Sequence, residues 1–219
     1  MKKILTIIII LTLSALALTG CKSTKTDLNT DEYLASFAAG EYGVQKNSDP
    51  IVEFDFGTYG KVRVELYPDV APLSVANFLT YVDEGFYDGT VLHRVIKDFM
   101  VQGGGYYLDG NTITPKSTHS PIKGEFSANG VANDVKHTLG VLSMARATQM
   151  DSATAQFFIV SATSPHLDGQ YAAFGKIIDE ESAAVVLALE KVNVVYVDAM
   201  FTTFPYPVVT LESVKVLKR

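Results

Sequence analysis

Lys61-Val62-Arg63-Val64-Glu65-Leu66 alternates polar and apolar side chains at every step. That period puts one face of a β-strand on a core and the other on solvent. Short apolar or alternating segments at 51–56, 90–95, 99–102, 139–144, 156–161, 172–178 and 208–216 carry the same signal, separated by Gly, Pro, Asn and Asp. Strands this short and numerous have to manage their unpaired edges, which closing the sheet on itself does most completely. Only two stretches read as helix. The first opens at Pro72, where a missing N–H costs nothing, carries Val75, Phe78, Leu79 and Val82 on one stripe, and stops at Gly85 as a left-handed cap would. The second covers 181–191 behind acidic residues suited to its N-terminal dipole. Residues 103–137 are rich in Gly, Ser, Thr, Pro and Asn and read as loop with one or two short strands. The expected class is mainly β, a closed or nearly closed β-barrel with two helices, without internal repeats.

The front of the chain is of another kind. Lys2 and Lys3 precede a predominantly apolar stretch from Ile4 to Leu18 and then small residues, the layout of an export signal and too short to span a bilayer comfortably. Its end, Leu18-Thr19-Gly20-Cys21, resembles the lipobox of bacterial lipoproteins. The resemblance implies lipid on Cys21, cleavage before it, and an extracytoplasmic protein held to the bacterial cell membrane. The expected divisions are a lipoprotein signal peptide at 1–20, a lipid-attached tether at 21–49 and a globular domain at 50–219. As a flexible coil the tether would reach on the order of 30 Å, although Tyr33, Leu34 and Phe37 are spaced for a short helix. Cys21 is the only cysteine of 219 residues, so the fold relies on its core rather than on an internal disulfide. Loss of Lys2 and Lys3 leaves 16 basic against 24 acidic residues, a net charge of −8. With no clustered Lys or Arg, nucleic acid is excluded as the expected partner.

Within the domain, Met100 and Gln102 share one strand face, with Val101 opposite, and Gln156 and Phe158 share another, with Phe157 and Ile159 opposite. Two strands each bear a glutamine two residues from a bulky apolar side chain, and Arg94 stands close by. Parity alone leaves Met100 and Phe158 as ordinary core and Arg94 as a surface arginine. The ordered segments FYDGTVLHRVIKDFMVQGG, GEFSANGVANDVKHTLGVLSMARA, AQFFIVSA and HLDGQYAAFGKI, however, resemble the cyclophilin family of peptidyl-prolyl cis-trans isomerases across about 51–216. The resemblance implies an eight-stranded antiparallel barrel capped by two α-helices. It implies Arg94 as the catalytic arginine, with Phe99, Met100, Gln102, Ala145, Gln156, Phe158 and Leu167 lining the peptide site, and no cofactor.

Three further positions of that site depart from the best-known eukaryotic members: Arg146 stands in place of asparagine, His166 of tryptophan and Tyr171 of histidine. They alter the rim that faces substrate and the cyclic inhibitor cyclosporin. Asp98 replaces a glycine in the turn before Phe99. The implied partners are proline-containing peptides and unfolded exported proteins, and a monomer is expected. His93, His119, His137 and His166 lack metal-ligand spacing. Gly103-Gly104-Gly105 lacks the Lys-Ser/Thr of a phosphate loop and reads as a bend. A proline-peptide binding module without catalysis is the alternative function. A hydrolase using Ser143 or Ser161 with a histidine ranks third, because neither serine lies in a G-x-S-x-G elbow.

Overall fold

The computed structural model describes residues 42–219. The signal at 1–20, Cys21, and the tether up to residue 41, including Tyr33, Leu34 and Phe37, lie outside the described residues. The elements run β1 (Ile51–Asp55), β2 (Lys61–Leu66), α1 (Pro72–Asp83), β3 (Thr90–Val91), β4 (Arg94–Ile96), β5 (Met100–Gly103), β6 (Tyr106–Asp109) and β7 (Thr112–Pro115). They continue with β8 (Val141–Met144), β9 (Phe157–Val160), β10 (Ala173–Ile177), α2 (Glu180–Leu189), β11 (Val194–Val195), β12 (Phe204–Pro205), β13 (Thr210–Leu211) and β14 (Ser213–Lys218).

Eight strands form an antiparallel sheet in the order β14-β1-β2-β10-β8-β9-β5-β4, and four more form a second sheet, β13-β3-β6-β7. The closed barrel expected from the sequence is not what this pairing makes. The end strands β14 and β4 do not pair with each other, so the large sheet is a half-barrel. The reason is local. The segments 90–95 and 208–216, each read as one strand, break in two around Leu92–His93 and at Glu212. Their first halves, β3 and β13, pair in the second sheet, while their second halves, β4 and β14, lie at opposite ends of the first. The free edge of β4 is met instead by the loop after β11, where Val95 N–H donates to the Thr203 carbonyl at 3.0 Å.

The main core lies between α1 and the inner face of the large sheet. Phe54, Phe78, Tyr87, Phe157 and Phe174 are all fully buried and meet as rings, with centroids 5.1 Å apart for Phe54–Phe157, 5.0 Å for Phe78–Tyr87 and 5.4 Å for Phe78–Phe174. Each such side chain withdrawn from water contributes about 1.5–3 kcal/mol. Helix α1 begins at Pro72 as expected, but its cap, Ala71, has no side-chain acceptor. Glu125, from a distant loop, takes that role. Its buried carboxylate accepts from Leu73 N (2.9 Å), Ser74 N (2.7 Å) and Ser74 Oγ (2.7 Å). Removing it orphans two helix-terminal donors, so Glu125→Ala is expected to cost about 2 kcal/mol, the upper end for loss of a cap, measurable by urea denaturation.

Strand β2 departs from the half-buried reading. Beyond Lys61, which stays exposed, its polar face is covered as well: Arg63 is 8% exposed and Glu65 1%. The N-terminus of α2 lies over Arg63, whose guanidinium reaches Glu53 (3.0 Å), Asp179 (3.5 Å) and Glu181 (3.1 Å). The Glu65 carboxylate accepts from the backbone N–H groups of Gln45 (2.8 Å) and Lys46 (2.7 Å). The last residues of the sequence-assigned tether, 42–49, therefore run packed along the sheet, with Tyr42 against the main core and Val44 beside Ile51 and Ile178. Burial pushes the Glu65 carboxyl up, against the pull of those two backbone hydrogen bonds.

Asp98, in the turn between β4 and β5, holds a left-handed backbone with φ of 56°, a conformation that glycine adopts without a Cβ penalty. Its N–H donates to Glu190 Oε2 at 2.9 Å, a bond that uses no Asp98 side-chain atom. Asp98→Gly is therefore expected to stabilise the fold slightly, by about 0.5 kcal/mol, with the N–H bond retained; the chemical-denaturation midpoint would show it.

Candidate active site

The site is a row across the outer face of the large sheet. In register, Arg94 on β4 faces Gln102 on β5, Gln102 faces Phe158 on β9, and Phe158 faces Ser143 on β8. The next row carries Ile96, Met100 and Val160. Because side chains alternate, Val95, Val101, Phe157 and Ile159 from the same strands enter the main core. Met100, Phe158 and Leu167 belong to a second, outer apolar cluster, with Phe99, Ala145 and Tyr171 packed against it. The expected parity of β5 and β9 is what the structure has.

A cavity of about 100 Å³ opens over this cluster, lined by Arg94, Phe99, Met100, Gln102, Ala145, Arg146, Phe158, Leu167 and Tyr171. It is about the space of three waters. Met100, Phe158 and Leu167 are buried at 1%, 5% and 5% exposure, so they form a rigid apolar floor. Two of the sequence-predicted residues stand outside this wall. Gln156 lines the adjoining cavity, and His166 lies behind Phe99 with ring centroids 5.2 Å apart.

Arg94 is half-buried. Its Nη1 donates to Gln102 Oε1 at 3.3 Å and approaches Met100 Sδ at 3.9 Å, with the guanidinium carbon 6.0 Å from the Phe99 ring centre. Gln102 Nε2 in turn donates to Gln156 Oε1 at 3.1 Å. Burial pulls the Arg94 pKa down, yet a guanidinium stays charged at any physiological pH. The result is a fixed cation at the mouth of an apolar pocket, oriented by an amide chain and, among the described residues, without a carboxylate in salt-bridge range.

The bend at the glycine run makes this close packing possible. Gly104 has φ of 80°, and a Cβ there would lie 2.8 Å from the Phe157 ring. A side chain would push β9 away and open the row. Arg146 forms the opposite rim. Its Nε and Nη2 donate to the Gln170 carbonyl (3.2 and 3.1 Å), and its guanidinium carbon lies 4.7 Å from the Tyr171 ring centre and 5.2 Å from that of Phe126.

Beneath the floor runs a chain that sequence reading does not assemble. His137 Nε2 is 2.8 Å from Ser143 Oγ, and its Nδ1 is 3.0 Å from Asp168 Oδ1. Burial opposes ionisation of Asp168, but hydrogen bonds from the His137 backbone N–H and ring hold its carboxyl below the ordinary range. The order Ser-His-Asp is that of a hydrolase, but Ser143 is fully buried under Phe158. No substrate carbonyl carbon reaches its Oγ, so the chain is a brace for the floor. Ser161 Oγ is buried and has no hydrogen-bond partner, so it pairs with no histidine either. Ser152 and Thr154, walls of the adjoining cavity of about 270 Å³, carry no periodicity or motif that marks them in advance.

Comparison with known proteins agrees with this geometry. Residues 51–216 match the family model for cyclophilin type peptidyl-prolyl cis-trans isomerase/CLD. A peptidyl-prolyl cis-trans isomerase of Acinetobacter baylyi is 48% identical over 124 residues, covering 54% of this chain and 62% of that protein. The match thus spans less than two thirds of that relative. Peptidyl-prolyl cis-trans isomerase A of Dickeya dadantii is 38% identical over 167 residues, covering 73% of this chain and 81% of that one. A crystal structure of a Cryptosporidium parvum cyclophilin type isomerase superposes with a TM-score of 0.61 at 25% identity, over 78% of this chain and 99% of that one. A second Cryptosporidium parvum structure, determined in the presence of the dipeptide Ala-Pro, gives 0.61 at 26% identity over 77% and 99%. Matched along its whole β-domain by the family model and similar to these isomerases in sequence and fold, the chain belongs to the cyclophilin-type peptidyl-prolyl cis-trans isomerases.

Proposed function

We propose that this chain catalyses rotation about X–Pro peptide bonds in exported proteins, working at the outer face of the membrane to which lipid on Cys21 holds it. The observation that carries the catalytic reading is Arg94, a fixed cation without a carboxylate partner among the described residues, beside an apolar-floored cavity of about 100 Å³. Amide resonance holds the X–Pro bond planar behind a barrier of roughly 20 kcal/mol. Rotation breaks no bond, so no nucleophile is required. As the amide twists, its nitrogen regains a lone pair and its carbonyl loses dipole. An apolar floor of Met100, Phe158 and Leu167 favours that less polar state and shuts out water. Arg94 donates to the emerging lone pair, an interaction absent from the planar ground state, and only such interactions accelerate the step.

Gln102, Gln156 and the backbone about Ala145 and Arg146 hold the flanking peptide. With a charge-assisted hydrogen bond of about 1.5–3 kcal/mol, desolvation and positioning bring the total to about 5 kcal/mol, an acceleration on the order of 10³ to 10⁴. The similarity to a protein whose structure was determined with Ala-Pro supports a proline residue in this cavity. The lipobox-like Leu18-Thr19-Gly20-Cys21 supports the membrane location.

Isomerisation of a short X–Pro peptide by the full-length chain in detergent tests the activity. A rate no faster than buffer would leave the site as a proline-peptide binding module. The location is tested separately. Wild type should take up radiolabelled palmitate and sediment with membranes, Cys21→Ala should do neither, and labelling of the variant would sink the assignment of Cys21.

A further inference from the structure

Arg146 is the second fixed cation of the groove, and nothing in the isomerase mechanism uses its charge. Resting on the prolyl-isomerase reading, we propose that Arg146 makes the seam between the two cavities a subsite for a substrate carboxylate. The chain would then favour X–Pro segments that carry Asp or Glu close to the proline.

Three observations point there. First, the charge is uncompensated. Of the four arginines, Arg63 and Arg219 have acidic partners, while Arg94 donates to Gln102. Among the described residues Arg146 has no carboxylate within 4.0 Å. Its partners are the carbonyls of Gln170, Ala147 (3.0 Å) and Thr148 (3.3 Å) and the faces of Tyr171 and Phe126.

Second, the guanidinium is held in place before any ligand arrives. Most of the entropy usually lost when a long side chain enters an ion pair is already spent. The four hydrogen bonds leave one of its five N–H groups unclaimed.

Third, its position is shared. Arg146 lines the proline-sized cavity and also the neighbouring cavity of about 270 Å³. A peptide leaving the first over Ala145 passes it. The second cavity is otherwise lined by uncharged side chains, Gln102, Ser152, Thr154 and Gln156 among them. A carboxylate there meets hydrogen-bonding groups and one cation, with no competing anion. Arg94 does not serve the same purpose, since it is committed to Gln102 and to the twisting amide.

The test uses the full-length chain in detergent and an alanine-based X–Pro peptide series. Glu or its isostere Gln is placed in turn at each of the two positions on either side of the proline. At one position the Glu peptide should exceed its Gln twin about tenfold in kcat/KM at low salt, an effect carried by KM. The ratio should shrink several-fold in 0.5 M NaCl as the charges are screened. In Arg146→Gln the ratio should fall to about one, and Arg146→Lys should restore part of it. The ratio is internal to each variant, so a general loss of activity cancels. Dissociation constants from NMR titration give the same ratio where turnover is too slow to read. A wild-type ratio near one at every position overturns the proposal, as does a preference that survives Arg146→Gln. Wild type that turns over no peptide in the series would instead refute the isomerase reading, and the NMR ratios would still decide the subsite.

Discussion

Arg94→Ala is expected to lower kcat/KM for X–Pro isomerisation about a hundredfold while leaving the fold intact. The guanidinium is half-buried and donates to Gln102 Oε1 and Met100 Sδ, but lies outside both apolar clusters, so its loss opens no core cavity. What disappears is a charge-assisted donor available chiefly to the twisted amide. Such a bond is worth about 1.5–3 kcal/mol, or roughly ten- to 150-fold. The loss should appear in kcat more than in KM, since the planar ground state makes little use of the donor. Arg94→Lys should recover only part of it, because an ammonium lacks the planar fork that Gln102 orients. A protease-coupled peptide assay reads all three proteins. Activity of Arg94→Ala within threefold of wild type would remove Arg94 from the mechanism.

A second large effect is expected on acidification. His93 is 6% exposed, and its ring lies 4.7 Å from Tyr106 and 6.4 Å from Phe201. Burial, with the Arg94 charge adding to it, depresses its pKa to about 4, and its Nδ1 is buried without a hydrogen-bond partner. The unfolded chain takes up that proton near pH 6.5, and the folded chain only near pH 4. This contribution to stability is therefore whole above about pH 6.5 and is lost as pH falls towards 4. At about 1.36 kcal/mol per pKa unit, the loss is about 3 kcal/mol. His137, whose pKa burial lowers despite the neighbouring Asp168, adds to it in the same direction. Glu65 and Asp49, both pushed up by burial, act in the opposite sense, so the wild-type curve alone is a mixture. Urea denaturation of wild type beside His93→Gln at pH 7, 5.5 and 4 isolates the term. The gap between the two proteins should change by about 3 kcal/mol over that range, in favour of the variant at low pH. A constant gap would mean that His93 titrates normally in the folded state.

Much of this molecule is legible along the chain because it depends on neighbours in sequence. The alternation in 61–66 and the two-residue parity of Met100 with Gln102 and of Gln156 with Phe158 follow from the pleat of an extended backbone. The start of α1 at Pro72 follows from its first turn needing no donor there, and its end at Gly85 from a left-handed cap, φ 63°. The acids that open α2 follow from its dipole, and Asp179 accepts from Ser182 N at 2.6 Å. Such features are decided within a few residues, where sterics and local hydrogen bonds dominate.

Periodicity reports only that one face of a strand is apolar; it does not say what covers the other. Lys61-Val62-Arg63-Val64-Glu65-Leu66 read as half exposed, because its alternation is indistinguishable from that of a strand open to water. In the fold, α2 and residues 42–49 close over that face, and Arg63 and Glu65 are tolerated there because carboxylates and backbone donors meet them. Likewise the break of two segments into strands of different sheets left the barrel open at β14 and β4. That outcome rests on pairings between residues more than a hundred positions apart. By itself the sequence determined most of the strands and which of their sides face the core, and its ordered motifs, through family resemblance, marked the side chains proposed to serve a proline. The tertiary structure alone decided that Arg94, Gln102, Phe158 and Ser143 form one row, that Glu125 caps a helix 51 residues away, and that Arg146 stands without a carboxylate among the described residues. Burial and pairing between distant segments are sums over the whole packed chain, and no local pattern encodes them.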